Sequence, residues 1–97
     1  MSSWSFGQRV IKNQTRTVNQ TGTQRSDAFT DGVVYVRCTA DTTGVFIAFG
    51  KAPTAAVTTG IRLVANEPKT FKVDNADKLA AIIASSTANV FIEELSE

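Results

Sequence analysis

The sequence predicts an all-β chain: a small antiparallel β-sandwich or barrel behind an extended, polar N-terminal arm. Three observations predict it. Short apolar runs, several of them alternating with polar residues, recur from residue 32 onward, as half-buried strands do. Turn residues separate these runs at intervals of about 8–12 residues, the spacing of sandwiches and small barrels. Composition also changes abruptly at Asp31-Gly32, where a polar, basic stretch gives way to the apolar runs. The predicted division is therefore an arm over 1–31 and a β-sandwich domain over 32–97.

The arm is defined by what it lacks. Between Asn13 and Ser26 the chain is Asn, Gln, Thr, Ser and Arg, with Val18 the only large apolar residue. Such a segment buries too little apolar surface to offset its ordering entropy, so it is expected to stay extended or disordered until a partner orders it. Removing residues 1–26 is then expected to leave a body that still folds cooperatively. A strand over 8–12, around Val10 and Ile11, is the one regular element the arm suggests.

Six strands are expected in the body. Residues 33–39 alternate, with Val34, Val36 and Cys38 on one face and Tyr35 and Arg37 on the other. Asp41-Thr42-Thr43-Gly44 is turn chemistry leading into 45–49, so the two make a hairpin. In the second of these strands both faces are apolar, which suits a strand covered on two sides. A longer loop over 50–60 holds Pro53. Strands over 61–64 and 70–73 flank the turn Asn66-Glu67-Pro68. Asp74-Asn75-Ala76-Asp77 turns into 78–84, whose Leu and Ala content suits a helix but whose length between turn signals suits a buried strand. Ser85-Ser86-Thr87 leads to the last strand, 89–95.

At 97 residues the chain has room for one domain, with a core modest enough that self-association or docking on a larger body would help stabilise it. The net charge of +1 exerts no global pull on nucleic acid or anionic membrane. Its distribution is uneven. Residues 1–26 carry Arg9, Lys12, Arg16 and Arg25 and no acid, whereas 27–97 hold six bases against nine acids. Cys38 is alone, so no intrachain disulfide forms, and it is expected as a small buried side chain. No run approaches the roughly 18 apolar residues of a membrane span, and the first residues lack the pattern of a secretion signal. Assembly in a reducing cytoplasm is expected.

Chemistry is sparse. There is no His, which removes the commonest general base and metal ligand. One Cys cannot build a thiolate zinc site. Asp74 and Asp77 sit in a turn that lacks the spacing of a calcium loop. Glu93 and Glu94 are adjacent in a strand and point to opposite faces; all four acids are expected to be solvated. The glycines at 44, 50 and 60 are too scattered for a phosphate loop. The sequence predicts no catalytic, cofactor or metal site, hence a non-enzymatic protein. A single-stranded nucleic-acid-binding barrel is the alternative of another class, since four cations in a flexible arm suit phosphates. Against it, the body is acidic, and Tyr35, Phe46, Phe71 and Phe91 are expected in the core rather than as stacking platforms.

The stretch Val36-Arg37-Cys38-Thr39-Ala40, followed by Val45-Phe46-Ile47-Ala48-Phe49-Gly50-Lys51-Ala52-Pro53-Thr54-Ala55, resembles small virion proteins of tailed bacteriophages. Glu67-Pro68-Lys69-Thr70-Phe71-Lys72-Val73 and Lys78-Leu79-Ala80-Ala81-Ile82 continue the likeness, which covers about residues 33–95. The resemblance implies a jelly-roll-like sandwich on the virion. It would be a capsid decoration (cement) subunit that bridges coat subunits, or alternatively a head–tail or tail-fibre adaptor. The implied partners are the major capsid protein and further copies of the chain, at the capsid surface, with no cofactor and no membrane. An arm of about 30 residues can reach roughly 100 Å when extended. Trp4 and Phe6 are its expected apolar anchors, and Arg9, Lys12, Arg16 and Arg25 its expected contacts to acidic coat surface.

Overall fold

Eight strands in two four-stranded sheets form the computed structural model of the protein, which describes residues 10–19 and 22–95. They are β1 (Val10–Asn19), β2 (Gln24–Arg25), β3 (Tyr35–Ala40), β4 (Val45–Gly50), β5 (Ile61–Leu63), β6 (Lys69–Lys72), β7 (Lys78–Ile82) and β8 (Thr87–Leu95). The first sheet has the order β1-β8-β3-β6 and the second β2-β7-β4-β5. Every ladder is antiparallel. The first sheet pairs β1 with β8 and β3 with β6, and the second pairs β2 with β7 and β4 with β5. The chain is thus one long hairpin rolled up on itself, the jelly-roll order.

Alternation decides what lies between the sheets. Val36, Cys38 and Ala40 of β3 and Ala88, Val90 and Ile92 of β8 point inward and are buried. Val45 and Ile47 of β4, with Leu79, Ala81 and Ile83 on and beside the neighbouring β7, line the core from the second sheet. Phe29, Phe49 and Phe71 close one end, with ring centroids 6.4 and 5.2 Å apart in tilted pairs, a favoured aromatic geometry. Burial pushes the Cys38 thiol up to about 12, so it stays a neutral, inert core side chain.

All six strands expected in the body are present, and 78–84 does contribute a strand. Tight packing explains its small residues. Ala80, which faces away from the core, is fully buried. The loop over 51–60 lies on that outer side: Gly60 sits so close that a Cβ there would be 2.8 Å from Phe46 Cβ and from the Ala56 carbonyl oxygen. Gly32, with φ +89°, takes the left-handed turn into β3.

The predicted boundary at 31/32 is corrected. β1 runs ten residues, Val10–Asn19, against the whole of β8, and β2 pairs with β7. Val18 and Phe29 are core residues. Residues 10–19 and 22–31 join the sandwich without an apolar face of their own because their polar groups find partners there. Gln14 donates to the Glu94 carboxylate at 3.0 Å and accepts from the Asp27 N–H at 2.9 Å. The Ser26 hydroxyl accepts from the Leu79 N–H at 2.9 Å, while the Ser26 N–H donates to the Leu79 carbonyl at 2.8 Å. Phe29 N–H donates to the Asp77 carbonyl at 2.9 Å.

Two acids expected in solvent are also corrected. Glu94 is fully buried, accepting from Gln14 and, at 2.6 Å, from the Thr30 N–H. Asp77 is buried beneath its turn, where it accepts from the Asp74 N–H and from Lys51.

Candidate functional site

The outer face of the first sheet is where polar side chains and an exposed aromatic ring converge. The ladders fix three rows across it. The middle row is Thr15–Phe91–Thr39, because Phe91 is the cross-strand partner of both threonines. One row over lies Asn13–Glu93–Arg37, and on the other side Thr17–Asn89, with Asp41 at the end of β3. Strands about 4.8 Å apart put the outer members of each row about 10 Å from each other.

The outer rows are internally paired except at Asn13. Arg37 Nε donates to Glu93 Oε1 at 2.5 Å, and that hydrogen bond raises the Arg37 pKa above its ordinary value. Thr17 Oγ1 donates to Asn89 Oδ1 at 2.9 Å, and Asn89 Nδ2 donates to Asp41 Oδ2 at 3.1 Å. Asp41 also accepts from the Asn89 N–H at 2.7 Å, and this backbone hydrogen bond is the main reason its pKa lies below the ordinary carboxylate value. Between these locked rows, Phe91 is 42% exposed. It stands in a shallow recess of about 440 Å³ lined also by Asn13, Thr15, Thr39 and Glu93.

The residues expected to contact a partner are not brought together. Trp4, Phe6 and Arg9 lie outside the described residues. Lys12 is exposed on β1. Arg16 turns back on the protein: its guanidinium donates to the Arg25 and Thr15 carbonyls at 3.0 Å each and meets Asp27 at 3.2 Å. Arg25 donates to the Pro53 carbonyl at 2.6 Å and to Thr54 Oγ1 at 3.3 Å. Both arginines therefore tie β1, β2 and the 51–60 loop together.

Phe91 is the residue that sequence reasoning placed wrongly. The signal was present: with Ala88, Val90 and Ile92 facing inward, Phe91 must face out. Tyr35 and Phe46 are half-buried, and Phe71 packs against the core.

Compared with protein-family models, curated proteins and solved structures, the chain finds no match in any of the three. Among the described residues, no group of three His, Cys, Asp or Glu side chains is placed to hold a metal ion, and no helix is long and apolar enough to cross a membrane.

Proposed function

We propose that the chain is a non-enzymatic virion structural protein of a tailed bacteriophage, a capsid decoration subunit that stabilises the head by bridging coat subunits. The resemblance over 33–95 supports this reading, and the observation that carries it is the open edge of β1. This strand pairs only with β8 among the described residues. Residues in an antiparallel strand alternate between exchanging hydrogen bonds with the neighbour and pointing them away. The Thr15 carbonyl accepts from Arg16 and the Asn19 N–H donates to Gln24 Oε1, so the odd-numbered residues present their main-chain groups to the open side. Asn13 and Thr17 there offer an edge that a strand from a coat subunit can extend. The same strand leads back into the leader carrying Trp4, Phe6 and Arg9. Exposed Ile61 and Val64 on and beside β5, the edge of the second sheet, suit contact between copies of the chain.

The test adds the protein to undecorated phage heads and measures occupancy by cryo-electron microscopy. Removing residues 1–9 is expected to lower occupancy. Asn13→Pro, which deletes an open-side N–H without cutting a bond to β8, is expected to lower it further. Full occupancy by both variants together would refute attachment through this edge. Density confined to the neck or tail would assign the protein to a head–tail or tail-fibre adaptor instead.

A further inference from the structure

We propose that the Phe91 face of the first sheet is a binding site for a neutral pyranose unit of a glycan. This goes beyond attachment to a coat protein and uses the flat of the sheet rather than the edge of β1.

The argument starts from an inequality among polar groups on one face. In the two flanking rows Arg37 is bonded to Glu93, and Thr17 to Asn89, which bonds Asp41. The Thr15 and Thr39 hydroxyls and the Asn13 amide, which surround Phe91, make no side-chain hydrogen bond among the described residues. Arg37 also occupies one oxygen of Glu93 and leaves Oε2 as an acceptor directed by a fixed partner. The result is an exposed aromatic ring bordered by two hydroxyls, an amide and an oriented carboxylate, all on rigid strands.

That set matches the chemistry of a sugar ring. One face of a pyranose is a patch of C–H groups that stacks on an aromatic surface, and its rim is a belt of hydroxyls that both donate and accept. Threonine hydroxyls and an asparagine amide answer in both senses, and the free carboxylate oxygen accepts. The span of about 10 Å between the outer strands takes one six-membered ring with its rim. The recess volume of about 440 Å³ lies within the range of small-ligand sites.

Charge selects against the other planar ligands. A nucleotide brings phosphate, and the only cation within the two rows nearest Phe91, Arg37, is neutralised by Glu93, which itself lines the recess. An acidic sugar meets the same carboxylate. The structural alternative is that a Thr–Phe–Thr row merely strengthens the sheet, as cross-strand aromatic pairs do. Solvation of the outer face also favours hydroxyls over methyls there, so the two readings part on binding: only a sugar site loses affinity when the hydroxyls become methyls.

The experiment titrates the isotopically labelled full chain with neutral disaccharides of glucose, galactose, mannose and N-acetylglucosamine, up to about 10 mM so that millimolar affinity is read. At least one is expected to shift the amide resonances of 13–15, 37–39 and 91–93. Phe91→Ala is expected to weaken binding about tenfold or more, the scale of losing a stacking platform. Thr15→Val with Thr39→Val keeps shape and strand propensity, so it is expected to preserve the melting temperature while weakening binding several-fold. The double variant keeps the test decisive should Phe91→Ala fail to fold. The proposal is overturned if no disaccharide shifts these resonances, or if the valine variant binds as tightly as the parent. Preference for single-stranded oligonucleotide or for a uronic-acid disaccharide also overturns it. None of these outcomes depends on capsids, so failure here leaves coat attachment standing, and failure there leaves this site standing.

Discussion

The described part of 10–31 and residues 32–95 join one sandwich by different means. The longer region is held by apolar side chains that alternate into one core. The shorter contributes Val18 and Phe29 to that core and otherwise depends on Gln14, Ser26, Arg16 and Arg25, each bonded to a distant part of the chain. Apolar burial is non-directional and tolerates small displacements. Hydrogen bonds in a buried network are directional and lose most when one partner goes, because the other is left unsatisfied. The polar segment is therefore the more brittle of the two.

The largest test of this contrast removes residues 1–26. The loss of β1 and β2 strips β8 and β7 of their outer neighbours and uncovers Val90, Ala81 and Leu79. Cooperative urea unfolding is expected to disappear, contrary to what the polar composition alone predicts. A sharp transition in the truncated protein would show that the segment is an appendage after all. A smaller effect is expected from Glu94→Ala, which leaves the Thr30 N–H and the Gln14 amide without their shared acceptor. We expect a cost of about 1–3 kcal/mol in denaturant titration. Amide exchange should accelerate first at 26–31 and last in β3 and β4. Uniform acceleration would mean the two regions are one cooperative unit.

The smallest effect concerns Asp41. Its pKa is depressed in the folded protein by the hydrogen bonds from Asn89. The associated stabilisation is thus present above the ordinary aspartate pKa and is lost as pH falls through the folded value. Asp41→Asn should flatten the acid limb of a stability–pH profile measured by urea midpoints and leave the neutral region nearly unchanged. An unchanged acid limb would show that the Asn89 contact carries no net energy.

The contrast also explains what could be read from the sequence. Strands β3 to β8 were legible because their burial is written in apolar alternation between turn residues. The wholly apolar 45–49 likewise signalled a second covering, supplied by the 51–60 loop. Of β1 only the start, within the strand expected over 8–12, was legible, and β2 was not, since Gln14 and Ser26 are buried for hydrogen bonds that exist only once β7 and β8 are in place. Glu94 and Asp77 were missed for the same reason. Arg16 and Arg25 read as free charge because nothing local reveals that their acceptors lie on Asp27 and Pro53. At the candidate site, the outward direction of Phe91 was available from its neighbours. The two threonines beside it come from strands far apart in sequence, and only the ladder joins them.

Pairing the first strand with the last has a consequence for how the protein is made. Val10 is aligned with Leu95 and Asn19 with Thr87, so β1 lacks the strand it pairs with until β8 has left the ribosome. Sheets built from such remote pairings fold slowly, in milliseconds to seconds, since long loops must close before any contact rewards them. A polar first strand is well suited to that delay. It can wait in water without adhering to its neighbours, where an apolar one would invite aggregation during synthesis.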